Sequence, residues 1–306
     1  MTLSDGAATP RTTRRTRRRV LETGGAAAAA TLGFGGLLAT EWVWLVSRAD
    51  PSPETAAATW AAGTLLVVVG LCAYAYANAD KNVALGDGRE SGSAEPGDPY
   101  DSLGVPTAVT LTRGFLVAGV AGVAGVALHG PLSPSWAWAA AVGYGVAAAL
   151  DALDGALARR LDRVSRLGAR LDTAVDAFGL LVAPLAGVLL GELAWWYLSV
   201  GAARYVFLVG RRRRERAGRP TFDLPPRASR RVLAGGQMAV VPLALAPGVF
   251  DPWMPLLTGV AAAALLVGFA RDWGYVSGRF GRVSPDTGGD GEPRRGEGDG
   301  NASASE

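Results

Sequence analysis

The chain has 306 residues, 49% of them hydrophobic, with 42 Gly and only 19% charged, and its mean hydropathy is +0.21. An ordinary soluble domain would carry about a quarter charged residues and would spread its apolar positions at helix or strand period rather than in blocks. The single Cys72 and the single His129 exclude an intramolecular disulfide, a cysteine zinc cluster and a multi-histidine centre within one chain, so any metal must be held by carboxylates.

In chain order, uncharged or nearly uncharged runs occupy 25–46, 56–79, 107–128, 135–158, 168–190, 193–210, 232–249 and 252–270. Crossing a bilayer core about 30 Å thick takes roughly 20 apolar residues at about 1.5 Å rise each, so the sequence predicts eight spans. The fold class expected is an all-α integral membrane protein: a six-helix transmembrane core over 106–276, preceded by a two-helix hairpin over 25–79. Residues 1–24 form a basic N-terminus, 80–105 a polar linker containing Gly, Ser and Pro, and 277–306 a low-complexity, acidic tail expected to be disordered. The string Thr16-Arg17-Arg18-Arg19-Val20-Leu21 is similar to a twin-arginine export signal. A membrane anchor is the preferred reading, because cleavage would leave an odd number of spans.

Arginines set the expected orientation. They cluster before the first run, between the fourth and fifth (Arg159, Arg160, Arg163, Arg166) and between the sixth and seventh (211–214, Arg216, Arg219, Arg227, Arg230, Arg231). The loops at 129–134, 191–192 and 248–251 hold no Lys or Arg, and that at 47–55 holds only Arg48. The positive-inside rule puts both termini in the cytoplasm. Most of the tryptophans fall near predicted span ends, as an interfacial belt requires, and Gly119, Gly122 and Gly125 suit close helix packing.

Chemistry gathers in the fourth and fifth runs. Asp151 and Asp154 lie near the cytoplasmic end of one, Asp172 and Asp176 near the cytoplasmic start of the next. An acid within a span costs on the order of 3 kcal/mol on insertion scales, so such residues face a polar cavity and serve a function by default. At about 100° per residue each pair occupies one helix face, and both pairs can point into one pocket. Four mutually repelling carboxylates require cations, and all-oxygen ligation suits Mg²⁺ or Mn²⁺. The blander reading, pairing with a nearby arginine such as Arg159 or Arg170, accounts for one acid but not for four. A transporter that binds its cation on these acids is the competing class. A conduction path, however, would carry polar groups through the whole membrane, whereas these gather at one end of two spans.

Read literally, the segment is Asp151-x2-Asp154-Gly155-x2-Ala158-Arg159-x8-Gly168-x3-Asp172-x3-Asp176. It resembles the signature of the CDP-alcohol phosphatidyltransferases at every position. The preceding span adds Thr107-x2-Thr110-x2-Arg113, similar to that family's Asn-x2-Thr-x2-Arg with Thr in place of Asn. The resemblance implies an enzyme of phospholipid synthesis that transfers a phosphatidyl or equivalent group from a CDP-lipid to an alcohol and releases CMP. It further implies two divalent ions on Asp151, Asp154, Asp172 and Asp176, with Asp176 as the base, and CDP-lipid contacts from Gly155, Ala158, Arg159, Gly168, Thr110 and Arg113. Arg204 lies inside a span, where an unpaired charge is costly, and with Arg230 and Arg231 it is a candidate for binding a phosphorylated acceptor such as inositol phosphate or glycerol phosphate. Partners expected are a CDP-activated lipid, a soluble alcohol or phosphorylated polyol, membrane lipids and a second copy in a homodimer, with no nucleic acid.

The orientation makes a prediction. In a Cys72→Ala background, single cysteines near residues 163 and 216 should be labelled by an impermeant thiol reagent only from the cytoplasmic side, and one at 131 only from outside. Labelling at 163 from outside would overturn the topology.

Overall fold

A computed structural model describes residues 10–22, 25, 29, 52–84, 100, 103–161, 165–222, 224, 228–249 and 251–280, and for 154–161 and positions 53, 228 and 231 it describes the backbone without the side chain. Nearly all of the expected first span, most of the 80–105 linker and most of the acidic tail lie outside the described residues. The described chain is helical: α1 (residues 10–22), α2 (Pro53–Ala77), α3 (Val105–Ala127), α4 (Pro134–Leu161), α5 (Arg166–Leu190), α6 (Leu198–Arg216), α7 (Ala228–Leu245) and α8 (Met254–Val276), with short 3₁₀ turns at Ala79–Lys81 and Trp195–Tyr197.

Five of these helices, α2, α3, α4, α5 and α8, are long and apolar enough to cross a membrane, as the chain's block composition requires. Helices stand at seven of the eight expected spans, but α6 and α7 depart from the simple picture. The last turns of α6 are the arginine run, and Arg204 interrupts its apolar part, while the apolar portion of α7 is the shorter Val232–Leu245. Large apolar side chains stand outward on α2, α6 and α8, with Leu66 75%, Val206 68% and Val260 62% exposed, as contact with lipid tails demands.

Contacts close α3–α8 into a ring in the order α3, α4, α7, α8, α6, α5, with α5 also touching α4 and α7. α3 is the most buried of the five crossing helices. The second helix of the expected hairpin, α2, lies directly on α3. Glycine makes that approach: a Cβ on Gly122 would come within 2.6 Å of the Trp60 carbonyl oxygen, and one on Gly63 within 3.2 Å of the Gly122 Cα. The Trp60 indole N–H donates to the Gly119 carbonyl oxygen (3.1 Å) at the same crossing. Between membrane helices, where lipid tails are as apolar as leucine, such backbone proximity is a main source of association.

α1, within the basic N-terminus, packs onto this assembly. Val20 and Thr16 of α1 are buried, the Arg17 guanidinium sits 4.8 Å from the centre of the Tyr76 ring, and the Asn82 side-chain amide donates to the Thr16 hydroxyl (3.3 Å). Beyond α2 the chain pins the start of α5. Ala84 and Ser165 form an antiparallel bridge, the Arg166 N–H donates to the Val83 carbonyl (3.0 Å), and Ser165 caps the helix by accepting from the Gly168 N–H (2.9 Å). α5 ends at Gly191, whose φ of 83° only glycine adopts without strain. The helix that carries Asp172 and Asp176 is thus fixed at both ends.

Gly122→Val tests the α2–α3 crossing. It should lower the thermal midpoint of the detergent-solubilised protein by several degrees, in line with about 1–3 kcal/mol for overpacking, whereas Gly70→Ala, with open space around it, should leave the midpoint unchanged.

Candidate active site

The acids meet on a buried arginine. Arg113 of α3 has a side chain only 3% exposed, and each of its three guanidinium nitrogens is engaged. Nε donates to the Ala147 carbonyl oxygen of α4 (3.2 Å), Nη1 contacts Asp151 of α4 (2.8 Å) and Asp172 of α5 (2.5 Å), and Nη2 donates to Asp176 of α5. A planar fork of charged donors is the group best suited to bind several carboxylates at once. The carboxylates themselves remain 28–41% exposed, so a ligand can reach them while the arginine lies beneath.

Oxygens of Asp151, Asp172 and Asp176 lie within 4.8 Å of one another. Three carboxylates against one guanidinium leave two negative charges (3 − 1) in a largely apolar bundle, which a divalent cation would offset. The donor set fits Mg²⁺ or Mn²⁺: it is all oxygen, it is convergent, and it includes no nitrogen or sulfur that would favour zinc. Asp154, Gly155, Ala158 and Arg159 follow on the helical backbone of α4, their side chains outside the described residues.

The remaining predicted residues fall in different places. Gly168 faces α3, where an added Cβ would sit 3.0 Å from the Thr107 hydroxyl oxygen and 3.1 Å from that of Ser165, so glycine here permits α5 to approach α3. Thr110 is buried, and its hydroxyl donates to the Pro106 carbonyl (3.1 Å). Arg170 donates to the Asn78 side-chain oxygen (3.1 Å) and makes no ion pair with Asp151, Asp172 or Asp176. Arg230 is held bidentately by Asp272 of α8 at 2.6 and 2.9 Å, Asp272 being only 8% exposed, and Arg231 is described by its backbone alone. Arg204 lines a cavity that contains none of Asp151, Asp172 and Asp176. Of the three arginines expected at one acceptor phosphate, Arg230 is thus paired with Asp272 and Arg204 lines a cavity without the three acids, while the Arg231 side chain lies outside the described residues.

Tyr144 went unnoticed in the sequence. Its ring is 3% exposed, its hydroxyl has no hydrogen-bond partner among the described residues, and it lines a small cavity with Arg113 and Asp176. It stands seven residues before Asp151, two turns along the same face of α4, and that spacing was the available signal. Gly179, one turn beyond Asp176, leaves room for it, since an added Cβ would come within 3.2 Å of the Tyr144 ring.

The family model for CDP-alcohol phosphatidyltransferases matches residues 103–280, and the chain belongs to that family. Curated proteins from Mycobacterium bovis and Mycobacterium tuberculosis, each named "Putative cardiolipin synthase", are 38% identical over 73 residues, which is 22% of this chain and 35% of theirs. The chain thus matches about a third of the length of these relatives. No solved structure matches it.

The carboxylate cluster predicts that Mg²⁺ or Mn²⁺ raises the thermal midpoint of the purified protein in a concentration-dependent way. Asp172→Asn and Asp151→Asn should each shift the half-maximal concentration upward at least tenfold. A midpoint indifferent to both ions would remove the metal site.

Proposed function

We propose that this membrane protein transfers a phosphatidyl or equivalent group from a CDP-lipid to an alcohol, with release of CMP, at the cytoplasmic face. The observation that carries the reading is the meeting of Asp151, Asp172 and Asp176, from two helices and at the family's motif positions, on the buried Arg113. In the reaction the acceptor oxygen attacks the lipid-bearing phosphorus, the bond from that phosphorus to the CMP oxygen breaks, and the acceptor proton leaves. Asp176, the most deeply set of the three acids, takes that proton. Divalent ions on Asp151, Asp154, Asp172 and Asp176 would supply Lewis-acid stabilisation of charge on the attacking and departing oxygens.

Arg113 acts in this reading as the group that aims the acids rather than as a CDP contact, because its nitrogens are engaged by Ala147 and the carboxylates. The rim residues Gly155, Ala158 and Arg159 take the CDP group, Gly155 by permitting close approach and Arg159 by donating to phosphate oxygens, while Gly168 serves by letting α5 approach α3. Tyr144 lies below the acids and closes the site toward the bundle interior, with its hydroxyl available to Asp176 or to a bound water.

The acceptor favoured is a glycerol hydroxyl carried on a phospholipid. Its support is the name of the mycobacterial relatives, since cardiolipin is one glycerol bearing two phosphatidyl groups. A phosphorylated polyol loses its expected clamp, Arg230 being neutralised by Asp272 and Arg204 lying in a different cavity.

The test is CMP release from a CDP-lipid with Mg²⁺, offered phosphatidylglycerol, glycerol phosphate, inositol phosphate and serine separately. Phosphatidylglycerol should be the best acceptor, and Asp176→Asn should lower kcat at least a thousandfold without changing the circular dichroism spectrum. Undiminished turnover in EDTA or in that variant would refute the proposed chemistry. A preference for serine or a free polyol phosphate would refute only the acceptor.

A further inference from the structure

α2, α3, α5 and α6 enclose a second cavity of about 700 Å³ on the outside of the helical ring, within the size range of small-molecule sites. α2, which lies before the family-matched residues, supplies its apolar wall through Leu66, Val67, Gly70 and Leu71. Its polar lining includes Arg170, Thr173 and Arg204, and no acidic residue contributes. At about 100° per residue, Arg170, Thr173, Ala174 and Ala177 centre on a face of α5 roughly 130° from Asp172 and Asp176, so the cavity lies on the other side of the helix from the acids. Val117 and Val175 line both this cavity and the small one beside Tyr144, and stand between them.

Arg204 is the unusual group. The hydroxyl of its neighbour Tyr205 donates to the Ala177 carbonyl of α5 (3.2 Å), and Gly201 packs on Leu180, which sets Arg204 against α5 near the level of Asp176. Arg204 is half-buried and makes no hydrogen bond and no ion pair among the described residues, whereas Arg113 of α3 and Arg230 of α7 each face carboxylates. A half-buried guanidinium without a protein partner suits an anionic ligand. An anion that also carries chains to fill the apolar wall of Leu66, Val67 and Leu71 is a phospholipid, and its phosphate offers the paired acceptor oxygens that a guanidinium fork binds.

We propose that the α2–α3–α5–α6 cavity binds one anionic phospholipid of the surrounding bilayer, its phosphate on Arg204 and an acyl chain along Leu66, Val67 and Leu71. This site is separate from the metal and CDP-lipid site and does not depend on the proposed reaction. α2 thereby has a purpose beyond anchoring: it converts an outer face of the core into a lipid pocket.

The test is native mass spectrometry of the full chain, delipidated in detergent and titrated with dioleoylphosphatidic acid or dioleoylphosphatidylcholine, without any acceptor or CDP-lipid. One phosphatidic acid should bind per chain, at least tenfold more tightly than phosphatidylcholine. Arg204→Gln should weaken it at least tenfold, Arg204→Lys should weaken it less, and Leu66→Trp, which fills the apolar wall at an exposed position, should weaken both lipids. Excess cytidine diphosphate or inorganic phosphate should displace nothing. Unchanged binding in folded Arg204→Gln, equal affinity for the two lipids, or displacement by cytidine diphosphate would each overturn the proposal, the last by assigning the lipid to the acid site. Failure of the transferase assay would leave it standing.

Discussion

One guanidinium among three carboxylates is the constraint on which the rest of this structure depends. Arg113 joins α3, α4 and α5 at a depth where none of the four charges could be buried alone. Removing the arginine would leave mutually repelling acids, and removing the acids would leave an uncompensated buried cation, each of which is costly in a low-dielectric interior. The pairing is deliberately incomplete in charge. Two negative charges beyond the arginine remain, and the exposed edges of the carboxylates are where a divalent cation and a phosphate-bearing substrate can meet.

The surrounding architecture serves to hold those three helices close. Glycine supplies the near contacts, with Gly122 against Trp60 on α2, Gly168 against Thr107 on α3, and Gly201 against the Leu180 carbonyl, where an added Cβ would come within 2.6 Å. Polar pairs supply direction elsewhere. Arg230 and Asp272 tie α7 to α8, while Gln237 of α7 accepts from the Tyr197 hydroxyl and donates to the Ala261 carbonyl (2.7 Å). In a bundle surrounded by hydrocarbon, such contacts fix which helix faces which, since burial of apolar surface alone does not discriminate.

Arginine in this chain has three uses that composition cannot tell apart. At the helix ends it marks a membrane side. Inside the bundle Arg113 and Arg230 are neutralised by acids from other helices, and both partnerships span long stretches of sequence. Arg204 stands on the outer face of the ring with no partner among the described residues, toward the cavity that α2 walls. The difference between a structural cation and a ligand-binding one is therefore a matter of which helix lies opposite, decided at the level of packing.

By itself the sequence determined the class of protein and which acids share a helix face. Blocks of apolar residues are required by bilayer thickness, and acids at spacings of three and four residues must share a helix face, so membrane helices and the paired aspartates were legible from local periodicity, and the family from the resemblance of the motif. Tertiary structure alone decided what those residues meet. Arg113 reads in sequence as one position of a motif, and only the crossing of α3 with α4 and α5 makes it the hub of the acids. Arg230 looked free until α8 brought Asp272 to it, and Arg204 looked close to the acids until α5 was seen to stand between them. The unpartnered Tyr144 hydroxyl and the role of α2 as a wall were hidden for the same reason. A helix fixes the angular relation among its own residues, but the rotation of one helix against another is set by the sum of many side-chain contacts along the interface, which no short stretch of sequence contains.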